Sequence, residues 1–372
     1  MTRSITAQEL KKRADSEGAV ILDVRAVDAY SDWRIQDDGV TSFNIQNSKL
    51  KERGVASFAE LPKDKEIITV CAKGVAAQET AQMLEAAGYH AVFLEGGMAA
   101  WSEFYNPVTV VRDEAISIYQ MIRPAKGCLS YILTSGSDAI VVDPGRHIDN
   151  YVDFAKQQGV TIRHVFDTHL HADHISGGWT LAKATDAQYW IAPEEAEGAT
   201  FEYHALEDGM TLPFGTTDVK VISRRTPGHT IASTSFLVGD KYVLSGDTLF
   251  VSGLGRSDLK GHAREMAEMM FNTVRTTLAS FPDELTVLPA HFSDYTEKNA
   301  SGYVGETMGK IRENNRMLHI TDKDQFVELS VKNSGVTPPN HETIIAINRG
   351  QISPSKEQQT ELETGPNRCA VK

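Results

Sequence analysis

At 372 residues, 41% hydrophobic and 23% charged, the chain has globular composition and is too long for one ordinary core, so two domains are expected. Its formal net charge of -13 argues against nucleic acid or an anionic membrane as partner, since an acidic surface attracts neither. No apolar run has the length of a spanning helix, Met1-Thr2-Arg3-Ser4 opens no signal-type segment, and three cysteines (Cys71, Cys128, Cys369) make no disulfide framework, so a reducing cytoplasm is the expected setting.

Thr6-Ala7-Gln8-Glu9 has capping-box spacing and should start the first helix. Ala19 to Val24, Ile67 to Val70 and Ala91 to Leu94 are short apolar runs of strand length. A helix-forming stretch from Ala76 to Ala87 stops at Gly88, a fitting C-terminal cap. Alternating strands and helices predict a small parallel α/β domain that closes near Asn106-Pro107. Cys71 ends one of these strands and precedes a helix, with Lys73 and Gly74 in the loop between. Backbone N–H groups at a helix start favour a thiolate, so Cys71 is the candidate nucleophile or sulfur carrier of this half. A cysteine at a strand end can equally be inert core.

Leu22-Asp23-Val24-Arg25, Cys71-Ala72-Lys73-Gly74 and Leu94-Glu95-Gly96-Gly97-Met98-Ala99-Ala100-Trp101 together resemble the rhodanese family of sulfurtransferases. The resemblance implies that Cys71 takes up sulfane sulfur and that Asp23 and Arg25 form a structural pair. Many rhodaneses carry Arg five positions after the cysteine and Ser or Thr beside it, where this chain has Ala76 and Ala77. Lys73 is the one cation in the loop, so weak binding of a dianion such as thiosulfate is expected.

Val108 to Val111 should open the second domain, followed by strands at Cys128 to Leu133 and Ala139 to Val142 with Ser135-Gly136-Ser137-Asp138 as the turn. A helix over about 149–158 leads to a strand around Val165-Phe166. There the chain reads Thr168-His169-Leu170-His171-Ala172-Asp173-His174. Three imidazoles and a carboxylate within six positions are costly to bury unless a metal ion or solvent takes their lone pairs. Three later strand ends also carry polar residues: His229 after Val219 to Ile222, Asp247 after Tyr242 to Leu244, and His291 after Leu285 to Leu288. Ala263 to Leu278 reads as an amphipathic helix whose methionines are core, and Cys128 as a small buried hydrophobe. Residues 301–350, with His319 and His341, form an extension without a legible role. The polar stretch from Gln351, with Pro354 and Gly365-Pro366, is expected to be disordered. Its end, Cys369-Ala370-Val371-Lys372, has prenylation spacing but an unsuitable last residue.

The order H-x-H-x-D-H, His, Asp, His resembles the metallo-β-lactamase superfamily over residues 108–295. The implied fold class is α/β: a small parallel rhodanese-like domain (1–105), then an αββα metallo-β-lactamase sandwich with a C-terminal extension (106–350) and a tail (351–372). In that superfamily His169, His171 and His229 would form one metal site. Asp173, His174 and His291 would form another, bridged by Asp247. Both halves together resemble the rhodanese-fused persulfide dioxygenases, and Gly255-Arg256-Ser257-Asp258 resembles that family's Gly-Arg-Thr-Asp.

The resemblance implies one Fe(II) per chain on His169, His229 and Asp247, with His171, Asp173, His174 and His291 orienting ligands around it. Arg256 is a further candidate catalytic residue. The implied reaction oxidises a small thiol persulfide with O2 to sulfite and thiol, and the rhodanese half would transfer sulfur to or from thiosulfate. A dinuclear zinc hydrolase of the glyoxalase II type is the alternative reading, since all seven superfamily positions are present and the run Pro289 to Tyr295 departs from the dioxygenase pattern. A third is a sulfur-relay scaffold whose sites have decayed. The sequence leaves open the thiol carrier and any homo-oligomer.

Overall fold

The structure is a computed structural model that describes residues 2–212, 214–215, 221–257, 262–333, 340–365 and 370–371. Val219, Lys220, Asp258, Pro366, Cys369 and Lys372 lie outside the described residues. The chain splits into two compact units after Asn106, the first also taking Arg123–Lys126.

In the first unit the elements run β1 (Ser4–Ile5), α1 (Ala7–Ser16), β2 (Ala19–Asp23), α2 (Val27–Asp32), β3 (Val40–Asn44), α3 (Asn47–Arg53), β4 (Ile67–Val70), α4 (Val75–Ala86), β5 (Ala91–Leu94) and α5 (Gly97–Glu103). Thr6 caps α1 in the expected box with Glu9. The strands form one sheet in the order β1-β5-β4-β2-β3, with every neighbouring pair parallel. β2 and β4 are buried along their whole length, which is why they read as unbroken apolar runs. β1 and β3 escape sequence reading because one is two residues long and the other is only half-buried.

In the second unit come β6 (Asn106–Arg112), β7 (Ser117–Arg123), β8 (Cys128–Ser135), β9 (Asp138–Val142), α6 (Asp149–Gln158), β10 (Thr161–Phe166), α7 (Gly178–Thr185), β11 (Gln188–Ile191), β12 (His204–Ala205), β13 (Thr211–Leu212), β14 (Val221–Arg225), β15 (Thr234–Val238), β16 (Tyr242–Gly246) and β17 (Leu254–Gly255). They continue as α8 (Ala263–Arg275), β18 (Thr286–Pro289), β19 (Glu306–Thr307), α9 (Met308–Asn314), α10 (Lys323–Asn333), α11 (His341–Asn348), α12 (Lys356–Glu363) and β20 (Ala370–Val371). One sheet has the order β12-β11-β10-β9-β8-β7-β6 and the other β13-β14-β15-β16-β18-β19. Their inner faces share a core in which Phe166 of β10 and Phe236 of β15 have ring centroids 5.0 Å apart. Helices α6 and α7 pack against the first sheet, and α8 and α10 cover the second. Met266 and Met270 of α8 are core, as its periodicity predicts.

The expected disordered tail is a correction. Residues 356–363 form α12, and the Glu363 side chain at its end is buried. Polar composition hid this, because an anchoring glutamate is indistinguishable in sequence from a solvated one. Among the described residues no helix is long and apolar enough to cross a membrane.

Candidate metal centre

β10 ends at Phe166, and Asp167 to Gly177 then forms an irregular loop with nearly every side chain buried. His169, His171, Asp173 and His174 are each at most 4% exposed. The loop after β14 brings His229, the end of β16 brings Asp247, and the end of β18 brings His291. All seven sequence-predicted positions therefore meet at one rim of the sandwich.

With Cys128, Asp143 and Asp167 they fall into three groups within each of which potential ligand atoms lie within 4.8 Å of one another: His169, His229 and Asp247; Cys128, Asp173, His174 and His291; Asp143, Asp167 and His171. In the first group Asp247 Oδ2 is 3.8 Å from His169 Nε2 and 3.5 Å from His229 Nε2. That oxygen is buried and has no hydrogen-bond partner among the described residues. Leaving a buried acceptor unsatisfied costs about 1–3 kcal/mol, more for a charged group, so the arrangement calls for a cation facing it. The donor set fits a divalent metal.

The surroundings fix which nitrogen faces inward. His229 Nδ1 lies 2.8 Å from the carbonyl of Arg256, so it donates there and leaves Nε2 as the lone pair. Thr168 Oγ1 donates to Asp143 and is 2.9 Å from His169 Nδ1, so it accepts from that ring and leaves His169 Nε2 free in the same sense. His171 Nε2 lies 3.1 Å from Asp143 Oδ1, while its buried Nδ1 has no hydrogen-bond partner among the described residues. Asp143 holds a left-handed backbone at φ 52°, a conformation uncommon outside glycine though more open to Asp than to most residues. Its carboxylate faces three donors, Thr168 N, Thr168 Oγ1 and His171.

His291 bridges two carboxylates: Nδ1 is 2.6 Å from Asp247 Oδ1 and Nε2 is 3.0 Å from Asp173 Oδ2. Asp173 Oδ1 is in turn 3.0 Å from His174 Nδ1. Burial opposes charge on His174 and His291, but Asp173 beside both and Asp247 beside the latter outweigh it, and both imidazoles are held well above their ordinary value. The same pairs, again against burial, hold Asp173 well below its ordinary value and lower Asp247. His169 is pushed well down, by burial first and by His171 next.

Cys128 departs from the sequence reading. It is buried, but its Sγ is 3.9 Å from Asp173 Oδ2 rather than among apolar neighbours alone. Burial works against ionising its thiol, yet His174 and His291 pull it down to about 6. Arg256, the further candidate catalytic residue, is buried at 1% exposure. Gly255 before it passes so close to the site that a Cβ there would lie 1.8 Å from the Asp247 carbonyl oxygen. Glu195, missed in sequence, is fully buried and ties two ligand loops together, accepting from Leu170 N at 3.1 Å and from Ala232 N at 2.8 Å. Asp143 and Asp167 share with the predicted residues the one available signal, a carboxylate just past a strand.

In the first unit Cys71 follows β4 at the carboxyl end of the parallel sheet, where such sheets present function. The Gly74 and Ala77 amides point at its Sγ from 3.2 and 3.3 Å. The Cys71 and Ala72 carbonyls accept from Met98 N and Ala99 N at 2.8 and 3.0 Å, in the first turn of α5. Gly97 makes this approach feasible: its φ is 57°, and a Cβ would lie 2.1 Å from the Cys71 carbonyl oxygen. Lys73 and Val75 are exposed, and Ala76 and Ala77 line the loop without a cation. Asp23 and Arg25 form the expected pair, with Arg25 Nη2 2.6 Å from Asp23 Oδ2.

Residues 123–291 match the metallo-β-lactamase superfamily and residues 6–104 the rhodanese-like domain. Among relatives, the mitochondrial persulfide dioxygenase ETHE1 of Homo sapiens is 26% identical over 218 residues, covering 58% of this chain and 80% of that protein. The hydroxyacylglutathione hydrolase of Vibrio cholerae is 30% identical over 201 residues, covering 54% and 72%. The crystal structure of ETHE1 from Myxococcus xanthus has a TM-score of 0.55 at 24% identity, covering 63% of this chain and 98% of that one. A metallo-β-lactamase from Staphylococcus aureus gives 0.58 at 24%, covering 64% and 73%. At that identity the two structures speak for the fold. Matched fold, matched motifs and a relative at 30% identity lead to one conclusion: the chain belongs to the metallo-β-lactamase superfamily and carries a rhodanese-like domain ahead of that fold.

Proposed function

We propose that the protein is a persulfide dioxygenase that oxidises a small thiol persulfide with O2 and water to sulfite and the free thiol, at one iron held by His169, His229 and Asp247. The observation that carries this reading is the division of labour within Asp247. Oδ1 takes the His291 hydrogen bond, and Oδ2 alone faces the two inward nitrogens. Two imidazole nitrogens and one carboxylate oxygen thereby gather around one point, a two-histidine, one-carboxylate set. Two imidazoles and one carboxylate leave open positions opposite, which suits non-haem Fe(II). Iron, when bound, supplies the redox chemistry that joins O2 to sulfane sulfur.

The protein residues do the rest. Arg256 O and Thr168 keep the two imidazoles turned to the metal, and His291 fixes the carboxylate. The reading puts sulfane sulfur uptake on Cys71, cradled by the Gly74 and Ala77 amides. A persulfide of glutathione is the probe substrate, since relatives in both named groups are small-molecule enzymes and one is named for a glutathione thioester.

A dinuclear zinc thioesterase is the rival reading, favoured by the second group around Asp173, His174 and His291. Protein purified without oxygen should contain one iron per chain and consume O2 with glutathione persulfide. Two zinc ions per chain with thioester hydrolysis and no O2 uptake would overturn the proposal.

A further inference from the structure

The loop from Asp167 to Gly177 has no regular structure of its own, so its backbone groups must be satisfied from elsewhere. Two partners come from far along the chain, in segments to which the sequence assigned no role. Asn348, the last residue of α11, donates Nδ2 to the carbonyls of His171 and His174, both at 2.9 Å, and accepts from Ser176 N at 2.9 Å. Glu363, the last residue of α12, accepts from Ile175 N at 2.7 Å through Oε1. Its Oε2 is 2.7 Å from Arg146 Nε. Both side chains are buried, at 6% and 1% exposure.

The two gripped carbonyls bracket Ala172 and Asp173. Fixing them fixes where the Asp173 carboxylate stands, and Asp173 is the far end of the series Asp173–His291–Asp247. We infer that Asn348 and Glu363 are positioning residues for the metal centre: the C-terminal extension is a strap that sets metal affinity and ligand geometry by clamping the histidine loop. This rests on the metal site proposed above. Asn348 suits the task because only an amide offers donors to two carbonyls and an acceptor to an amide at once. An aspartate there would turn a carboxylate oxygen on both carbonyls. Glu363 meets a backbone amide and a guanidinium, a role in which glutamine keeps the acceptor and loses the charge pair.

The test uses Co(II) alone, loaded into the metal-stripped full chain. Its dissociation constant is measured by chelator competition and its visible absorption reports ligand geometry, beside the melting temperature of the metal-free protein. Asn348→Ala should weaken Co(II) binding about 10–100-fold and alter the absorption envelope, and Glu363→Gln should fall near the lower end of that range. A strap that merely stabilises the fold would lower the metal-free melting temperature and leave affinity and spectrum at wild type, which overturns the inference. Should Asn348→Ala not fold, Glu363→Gln decides by the same criterion. His229→Ala separates the two readings. If it binds Co(II) as wild type does, the metal site is wrong; if it loses binding while the strap variants keep theirs, only the strap is wrong.

Discussion

His291 Nδ1 sits 2.6 Å from Asp247 Oδ1, and the second ring nitrogen sits 3.0 Å from Asp173 Oδ2. One imidazole thus spans the two carboxylates that a two-metal enzyme of this superfamily would spend on its ions. Asp173, His174 and His291, with Cys128, form a second group able to hold a metal ion, beside the set around Asp247 Oδ2.

Replacing His229 removes one of the two inward nitrogens facing Asp247 Oδ2. His229→Ala is expected to lose most bound iron and all O2 uptake with glutathione persulfide. Elemental analysis and an oxygen electrode check this. Full iron content in the variant would mean that the ligand set is misassigned.

Cys71→Ser should abolish sulfur transfer between thiosulfate and an acceptor thiol yet leave oxidation of a supplied persulfide nearly unchanged. The thiol sits in the first unit and the metal ligands in the second. Wild-type transfer from thiosulfate should already be weak, given Ala76 and Ala77 in place of cationic and hydroxyl residues. Loss of O2 uptake in the serine variant would show that the two sites are not independent.

Arg256→Lys keeps the charge but gives up the planar fork of a side chain that is 1% exposed. Its backbone carbonyl orients His229, so the loop should persist while the guanidinium geometry goes. Dioxygenase rate or metal affinity should fall about 10–100-fold, the usual cost of removing a group that supports metal ligands. Wild-type turnover and iron content in the lysine variant would leave the buried guanidinium with no part in the site.

Metal removal should make stability depend on pH in a definite direction. His174 and His291 have folded values raised well above 6.5, so their contribution is complete below the unfolded value and is lost as pH climbs through the folded one. Asp173 and Asp247, shifted the other way, contribute throughout this window and lose their share only in strong acid. Chelator-stripped protein should therefore melt lower as pH rises above about 6.5, and metal should raise the melting temperature more at the alkaline end. Calorimetry across that range with and without metal checks it, and a pH-independent metal effect would contradict it.

Much of this centre is legible in sequence because each ligand follows a strand, and short spacing concentrates four of them on one loop. The strands themselves stand out as buried apolar runs. What supports the ligands is less visible. Asn348 and Glu363 meet the loop across sequence separations of 172 to 188 residues, and nothing in the local pattern of α11 or α12 marks either residue. Cys128 lies on a strand whose apolar neighbours make it look like core, and only the fold turns its sulfur toward Asp173. Glu195 reads as one more acidic residue in a turn until Leu170 and Ala232 are seen to converge on it.

The stapling of the Cys71 loop to the first turn of α5 has a kinetic meaning. With both carbonyls bonded to α5 and a glycine in the contact, the loop is expected to hold its sulfur in place rather than carry it as an arm. A sulfur atom loaded on Cys71 would leave by collision with an acceptor that comes to it. Transfer should then be second order, rising in proportion to acceptor thiol and reaching a plateau only for an acceptor that docks. The identity of the physiological acceptor would be written in the concentration at which that line begins to bend.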